Sequence, residues 1–328
     1  MGKQASIWVS AVILWGASPA LAFDCAKSTT KVEKAICADR SLGAADADMT
    51  AAYEAVRDAS DPAEKKMLAL SQKRWIEDRE NACAEVDDIA QCIAGKTKER
   101  THLLQGAPES GPGYPSRLVP VFLEQAGTAT TYDLDYSLLR FADAKTAGEK
   151  ILNAAVKKIL VEAPRSALGQ DASGEQVLDR MENFELTYAS PDFISVSHTF
   201  YADEGGAHGN GGTSNINIDM RNGREIKAQD VFPGEALATL TSQCRDQILA
   251  RKQENNGDEK YVAADDPNYQ DKTVADFIGD WKQWTITADK ATVTFDAYAI
   301  GSYAEGPYEC TFDMAKLKAL AKPSALLP

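Results

Sequence analysis

The chain has 328 residues, with 49 acidic against 35 basic side chains and a formal net charge of −14. That excess disfavours nucleic acid and anionic membrane surfaces as partners and favours a cationic one by electrostatic steering, while simple solubility is the plainer reading of the same number. A mature chain of about 300 residues exceeds what one core usually supports, so two domains are expected.

The start reads Met1-Gly2-Lys3, an apolar stretch through Ile7 and Ala11 to Trp15, and Ala20-Leu21-Ala22. This is the layout of a secretory signal peptide over residues 1–22, which predicts a periplasmic product beginning at Phe23. Cys25 follows Phe23 and Asp24 rather than a small residue, so no lipid anchor is expected. No later run approaches the roughly 20 apolar residues of a membrane span. All six cysteines (Cys25, Cys37, Cys83, Cys92, Cys244 and Cys310) follow the leader, and an even number in an exported chain favours a disulfide framework. They form no Cys-x-x-Cys, which leaves zinc-finger and thioredoxin readings without support.

Residues 23–106 are rich in Ala, Glu, Asp, Lys and Arg, with apolar residues at helical spacing, and predict an all-helical domain. Ser41 is read as the cap of a helix whose inner stripe is Leu42, Ala45, Met49, Tyr53 and Val56. Asp61-Pro62-Ala63-Glu64 starts the next helix, with Asp61 as N-cap, Pro62 at the first position and Glu64 closing a capping box. Met67, Ser71, Trp75 and Asp78 continue down one side of it. A further helix runs from about Asp87 to Leu104 and stops before Gly106. Spacing suggests Cys25–Cys37 and Cys83–Cys92 as disulfides, and the crossed pairings stay open.

The Gly/Pro-rich stretch from Gly106 to Pro115 breaks helices and ladders and is read as a linker, residues 107–117. Residues 118–322 then change to alternating strands: Tyr132–Leu138, Phe184–Tyr188 and Phe193–Tyr201. Asn222-Gly223 between strand-like runs signals a hairpin. Helices are expected at Thr146–Leu160 and Glu235–Lys252. The predicted fold is therefore an all-α, disulfide-stapled N-terminal domain followed by an α+β domain with a mainly antiparallel sheet. In the second helix Leu237, Leu240, Cys244 and Ile248 share a face. Cys310 lies in the strand-like Tyr308–Phe312, so a Cys244–Cys310 bond would staple helix to sheet.

Catalytic constellations are nearly absent from the sequence. Only His102, His198 and His208 offer imidazole chemistry, and neither His-Glu-x-x-His nor Gly-x-Ser-x-Gly occurs. Ser28-Thr29-Thr30-Lys31 matches Ser-x-x-Lys formally but lacks the companion motifs of penicillin-interacting enzymes, and reads as a turn and helix start. His198 alternates with Ile194, Val196 and Phe200 and reads as a core histidine. Asp203, Glu204 and His208 match no metal-ligand spacing. No catalytic residue, cofactor or metal is expected.

Two local sequences remain. Gly205–Gly212 is rich in glycine and is either a flexible connection between strands or a recognition loop displaying His208 and Asn210. Tyr298–Tyr308 carries three tyrosines, a serine and an acid on a Gly/Pro-punctuated turn, suited either to partner contact or to cross-strand packing.

The N-terminal segment resembles the LprI-type lysozyme-inhibitor domain family through Phe23-Asp24-Cys25, Val32–Asp39, Leu42, Tyr53, Gln72–Trp75, Arg79, Cys83, Cys92 and Arg100. The remainder resembles the C-terminal domain shared by the lysozyme-sensing anti-sigma factor RsiV and some peptidoglycan deacetylases. Gly206–Asn210, Ile218-Asp219, Gly223, Asp230–Phe232 and Phe295–Pro307 carry that likeness. Unlike those proteins, this chain shows neither a membrane helix with a cytoplasmic anti-sigma segment nor a deacetylase domain. The first family implies a helical, disulfide-bonded, exported fold and, for some members, inhibition of lysozyme; the second implies direct lysozyme binding.

Both resemblances imply a soluble periplasmic protein that binds a basic lysozyme-type muramidase and blocks its cleft, with no enzymatic activity of its own. The expected partner-binding residues are His208, Asn210, Ser302, Tyr303, Glu305 and Tyr308. Glu305 would have to stay on the rim, because a carboxylate buried against the enzyme's acids costs binding energy unless it is paired or protonated. The alternatives are a non-inhibitory envelope module that recognises peptidoglycan or a wall enzyme, and a hydrolase marked by clustered carboxyl groups with raised pKa values in a cleft.

Overall fold

A computed structural model describes residues 25–164, 166, 178–205 and 207–328, and the expected leader lies outside them. The first domain is built from α1 (Lys31–Ala38), α2 (Arg40–Ala59), α3 (Pro62–Cys83) and α4 (Ile89–Gln105). Thr30 starts α1: its hydroxyl accepts the Glu33 N–H at 3.1 Å while the Glu33 carboxylate accepts the Thr30 N–H at 3.1 Å. The cap of α2 is Asp39 rather than Ser41. Only one residue separates α1 from α2, so Ser41 is already helical, and its N–H and that of Leu42 donate to the Asp39 carboxylate at 2.7 and 3.3 Å. Asp61, Pro62 and Glu64 open α3 with the expected capping box. α4 begins two residues later than expected, at Asp88 as cap, and ends at Gly106, whose φ of 62° is the left-handed conformation that glycine adopts without strain.

The apolar core of this domain is small, with Val32, Ile36, Leu42 and Ile93 in one cluster and Met49, Ala52, Leu68 and Leu104 in another. Disulfides Cys25–Cys37 and Cys83–Cys92 brace it, as small cores often require. Arg79 crosses the interior to Asp46 at 2.9 Å and Thr97 at 3.1 Å.

The second domain is α+β. Its larger sheet contains β1 (Leu118–Gln125), β2 (Asp133–Phe141), β3 (Asp179–Ala189), β4 (Phe193–Asp203), β5 (Asn210–Thr213), β6 (Ile216–Asp219) and β7 (Arg224–Glu225). The order is β1-β2-β3-β4-β6-β7, with β5 also on β4, and every pairing is antiparallel except β2 with β3. That parallel pair follows from the crossover helix α5 (Ala147–Glu162), which starts at a Thr146–Glu149 capping box and buries Leu152 and Val156. The Asn222-Gly223 turn joins β6 to β7, with Gly223 at φ 62°.

After α6 (Ala228–Val231), α7 (Gly234–Asn255) and α8 (Asp271–Gly279), a second antiparallel sheet forms from β8 (Trp284–Ile286), β9 (Lys290–Phe295) and β10 (Tyr308–Asp313), and α9 (Met314–Leu320) follows. Alternation decides its faces: Ala291, Val293 and Phe295 are buried in the core shared with Leu240, Ile248 and Trp284, and their neighbours point away. Cys244 on α7 bonds Cys310 on β10, the expected staple of helix to sheet.

Residues 106–115 form neither helix nor strand, but they are laid along β3. The Glu109 N–H donates to Leu186 at 2.7 Å and the Gly113 N–H to Ala189 at 3.0 Å. Arg74 spans the two domains, 3.0 Å from Glu124 and 2.8 Å from Asp133, and Arg100 lies over the Phe122 ring at 4.8 Å.

Candidate partner-binding site

The two local sequences singled out above meet in space. The chain turns back from β4 to β5 through Gly209, which lies so close to Tyr201 that a Cβ there would sit 2.2 Å from the Tyr201 hydroxyl. This turn holds His208 over the loop between β9 and β10. The His208 and Tyr303 rings stack with centroids 3.8 Å apart and planes 14° from parallel. Tyr298 lies beside both rings, its centroid 5.6 Å from that of Tyr303 and its hydroxyl 2.9 Å from His208 Nε2. The other ring nitrogen, Nδ1, is 2.9 Å from the Gly209 carbonyl, which can only accept. In the neutral ring Nδ1 therefore carries the proton, and Nε2 accepts from Tyr298.

Tyr298 sits at φ 72°, a conformation that costs a bulky residue about 1–2 kcal/mol. It remains 55% exposed and Tyr303 39% exposed, so a strained loop presents apolar rings to solvent. Three preorganised rings form a rigid knob that loses little side-chain entropy on contact.

Beneath the knob, Lys252 is 2% exposed and lies 2.8 Å from Asp266 and 3.0 Å from Glu305. Glu305 also accepts the Tyr308 hydroxyl at 2.6 Å and the Ser302 N–H at 2.7 Å, which fixes the short turn carrying Tyr303. Burial pushes the Glu305 carboxyl up, but the bonds from Tyr308, Ser302 and Lys252 outweigh it and hold the group at about 2. Glu305 is thus paired from within rather than displayed on a rim.

Tyr308, expected at the contact surface, is 3% exposed and packs opposite Phe295; the alternation of β10 turns it into the core. Ser302 precedes the Tyr303 turn, and Asn210 is exposed at the start of β5. Of the six candidates, the structure brings His208, Ser302 and Tyr303 together and adds Tyr298 from the same loop. His198 is partly buried, with Nε2 2.5 Å from Glu182.

A second constellation was not anticipated from sequence. A cavity of about 290 Å³ opens between α3, α4 and the β2–β3 strands, lined by Arg74, Trp75, Asp78, Arg100, Asp135 and Glu185. Burial raises the carboxyls of Asp78, Asp135 and Glu185. Behind them, burial and then the neighbouring Asp135 push Glu124 up to about 8, although Arg74 pulls the other way from 3.0 Å. Raised, clustered carboxyl groups are what a hydrolase reading asks for. Here Arg74 joins one of these acids, Glu124, and the neighbouring Asp133 across the seam, so the cluster ties the domains together. No local motif marks it, because its members come from four separate elements.

The architecture is thus a disulfide-stapled helical domain docked on an α+β domain that displays an aromatic knob. Residues 25–104 match the family described as lysozyme inhibitor LprI, and residues 229–314 match the family described as protein of unknown function (DUF3298). An LprI domain followed by a DUF3298 domain is the layout of these two matches, and the RsiV-type label is a looser description of the second domain. No curated protein matches the chain. Among solved structures it is similar to a DUF3298 family protein from Pseudomonas aeruginosa PAO1, at 19% identity over 65% of this chain and 97% of that one, with a TM-score of 0.44. A DUF3298 member from Bacteroides fragilis NCTC 9343 shows 16% identity over 64% and 94%, with a TM-score of 0.44.

Proposed function

We propose that this is an exported, periplasmic binding protein that captures lysozyme-type muramidases and inhibits them by steric block, without catalysis of its own. The observation that carries the reading is the match of the helical domain to the lysozyme-inhibitor family. Three disulfides suit an oxidising compartment, and no described helix is long and apolar enough to cross a membrane. A net charge of −14 steers a basic enzyme toward the protein, an attraction that weakens with salt.

The knob supplies a geometry for the block. Tyr298 and Tyr303 enter the glycan cleft as aromatic anchors, the side-chain type enriched at energetic centres of interfaces. Both His208 nitrogens are already engaged, so the Tyr303 hydroxyl, which makes no hydrogen bond among the described residues, reaches the catalytic carboxylates. The test is muramidase activity on a cell-wall suspension titrated with the oxidised chain and with Tyr303→Ala. Stoichiometric loss of activity with the parent chain and weaker loss with the variant support the proposal. Full activity with both would refute inhibition, and equal inhibition by both would move the contact off the knob.

A further inference from the structure

The two sheets of the second domain are joined at both ends and part in between. At one end the Ile286 N–H donates to the Ser195 hydroxyl at 3.3 Å, and the Asn217 amide donates to the Trp281 and Trp284 carbonyls at 3.0 and 2.9 Å. At the other, the Thr213 N–H donates to the Asp296 carboxylate at 3.0 Å. The groove between them measures about 740 Å³, and Tyr303, Gly306 and Pro307 close one end.

Strand alternation sets its lining. Because Ala291, Val293 and Phe295 face the core, Thr292 and Thr294 face the groove, with Thr285 beside them. The opposite wall presents Thr187, Ser197 and Thr199. Thr292 and Thr294 on one wall and Ser197 and Thr199 on the other supply hydroxyls able to donate and accept, while the Thr187 and Thr285 hydroxyls already donate to the Ser195 carbonyl and the Asn215 amide oxygen, both at 3.2 Å.

The remaining chemistry narrows the ligand. Glu109, Glu185, Asp296 and Glu309 stand against Lys290, a balance that repels phosphate-bearing or other anionic polymers. The walls are chiefly the faces of β3, β4 and β9, whose strands are paired on both sides, so they offer an extended peptide no continuous row of unpaired backbone groups. Almost no aliphatic side chain is available to an apolar ligand. A chain of sugars fits each feature: hydroxyl and acetamido groups bond the threonines, and the carboxylates accept pairs of hydroxyls. The Tyr201 and Tyr303 rings offer a stacking face at one end.

We infer that this inter-sheet groove is a binding site for a neutral, hydroxyl- and acetamido-bearing glycan chain. The wall from Lys290 to Asp296 is about 20 Å long at the usual rise of a strand, which accommodates an oligosaccharide rather than a single sugar. The site adjoins the knob and shares Tyr303 with it, but its hydroxyl-bearing walls are separate from the rings proposed to meet lysozyme.

The test is calorimetric titration of the full oxidised chain with N-acetylglucosamine oligomers, alongside Thr292→Val/Thr294→Val on one wall and Thr199→Val on the other. Each change is nearly isosteric at a position outside the apolar core. Saturable binding of the oligomers, weakened at least tenfold by either variant while lysozyme binding measured without glycan stays unchanged, supports the site. Absence of saturable binding, binding unaffected by both variants, or a preference for stem peptides or polyanions over the oligomers overturns it.

Discussion

Replacing Lys252 with methionine keeps the apolar stem and removes the ammonium that holds two carboxylates together. Lys252 is 2% exposed, with Asp266 and Glu305 at 2.8 and 3.0 Å and the Tyr308 ring 4.9 Å away. Breaking a buried pair by deleting one partner costs about 3–5 kcal/mol. The side chains of Asp266 and Glu305 are 13% and 27% exposed, so water recovers part of that and roughly 2–3 kcal/mol is expected. A second route gives a consistent ceiling. Glu305 at about 2, against an ordinary 4.5, corresponds to at most about 3.4 kcal/mol at 1.36 kcal/mol per unit, and Lys252 supplies part of it beside Tyr308 and Ser302.

A depressed carboxyl contributes fully above its unfolded value near 4.5 and loses the contribution as pH falls toward 2. Urea unfolding of parent and Lys252→Met should therefore differ by roughly 2–3 kcal/mol at pH 7, and the gap should narrow as pH falls from about 4.5 toward 2, where the acids protonate. Because Glu305 anchors the turn carrying Tyr303, lysozyme affinity should fall as well. A stability difference below about 0.5 kcal/mol at pH 7, or one equally large at pH 2.5, would show that the network does not hold the loop.

Glu124, raised to about 8 by burial and Asp135, keeps its proton in the fold above its unfolded value near 4.5, so stability falls as pH rises from about 4.5 to about 8 and levels off beyond. Unfolding midpoints at pH 6 and 9 should drop by on the order of 2 kcal/mol more for the parent chain than for Glu124→Gln; parallel profiles would count against the raised value. Removing Cys244–Cys310, which closes a separation of 66 residues, should cost about 4 kcal/mol in thermal or urea unfolding, and an unchanged midpoint would mean that helix and sheet hold without it. Tyr303→Ala, at a position 39% exposed, should leave the unfolding midpoint within about 0.5 kcal/mol while weakening lysozyme binding by roughly 10- to 100-fold in calorimetry. A stability loss without an affinity loss would make the ring structural.

Local chemistry in the sequence carried much of the fold. Asp61-Pro62-Ala63-Glu64, Thr146 with Glu149, Gly106 and Asn222-Gly223 each act within a few residues of themselves, and each forms the cap or turn its chemistry dictates. The cap of α2 was misplaced because Asp39 and Ser41 are both good capping residues, and only the one-residue gap after α1 decides between them. Sequence could mark His208 and Tyr303 as unusual but not as neighbours, since 95 positions separate them and only the close approach of Gly209 to Tyr201 brings them into contact. The inward turn of Tyr308 follows from β10 register, and the Arg74–Glu124–Asp133 seam from domain docking, which no local pattern encodes.

Lysozyme recognition is most directly tested by calorimetric titration of hen-type lysozyme with the oxidised chain at low and at physiological salt. The account predicts micromolar or tighter binding at low salt that weakens as salt rises. No binding at low salt would contradict it for that class of lysozyme.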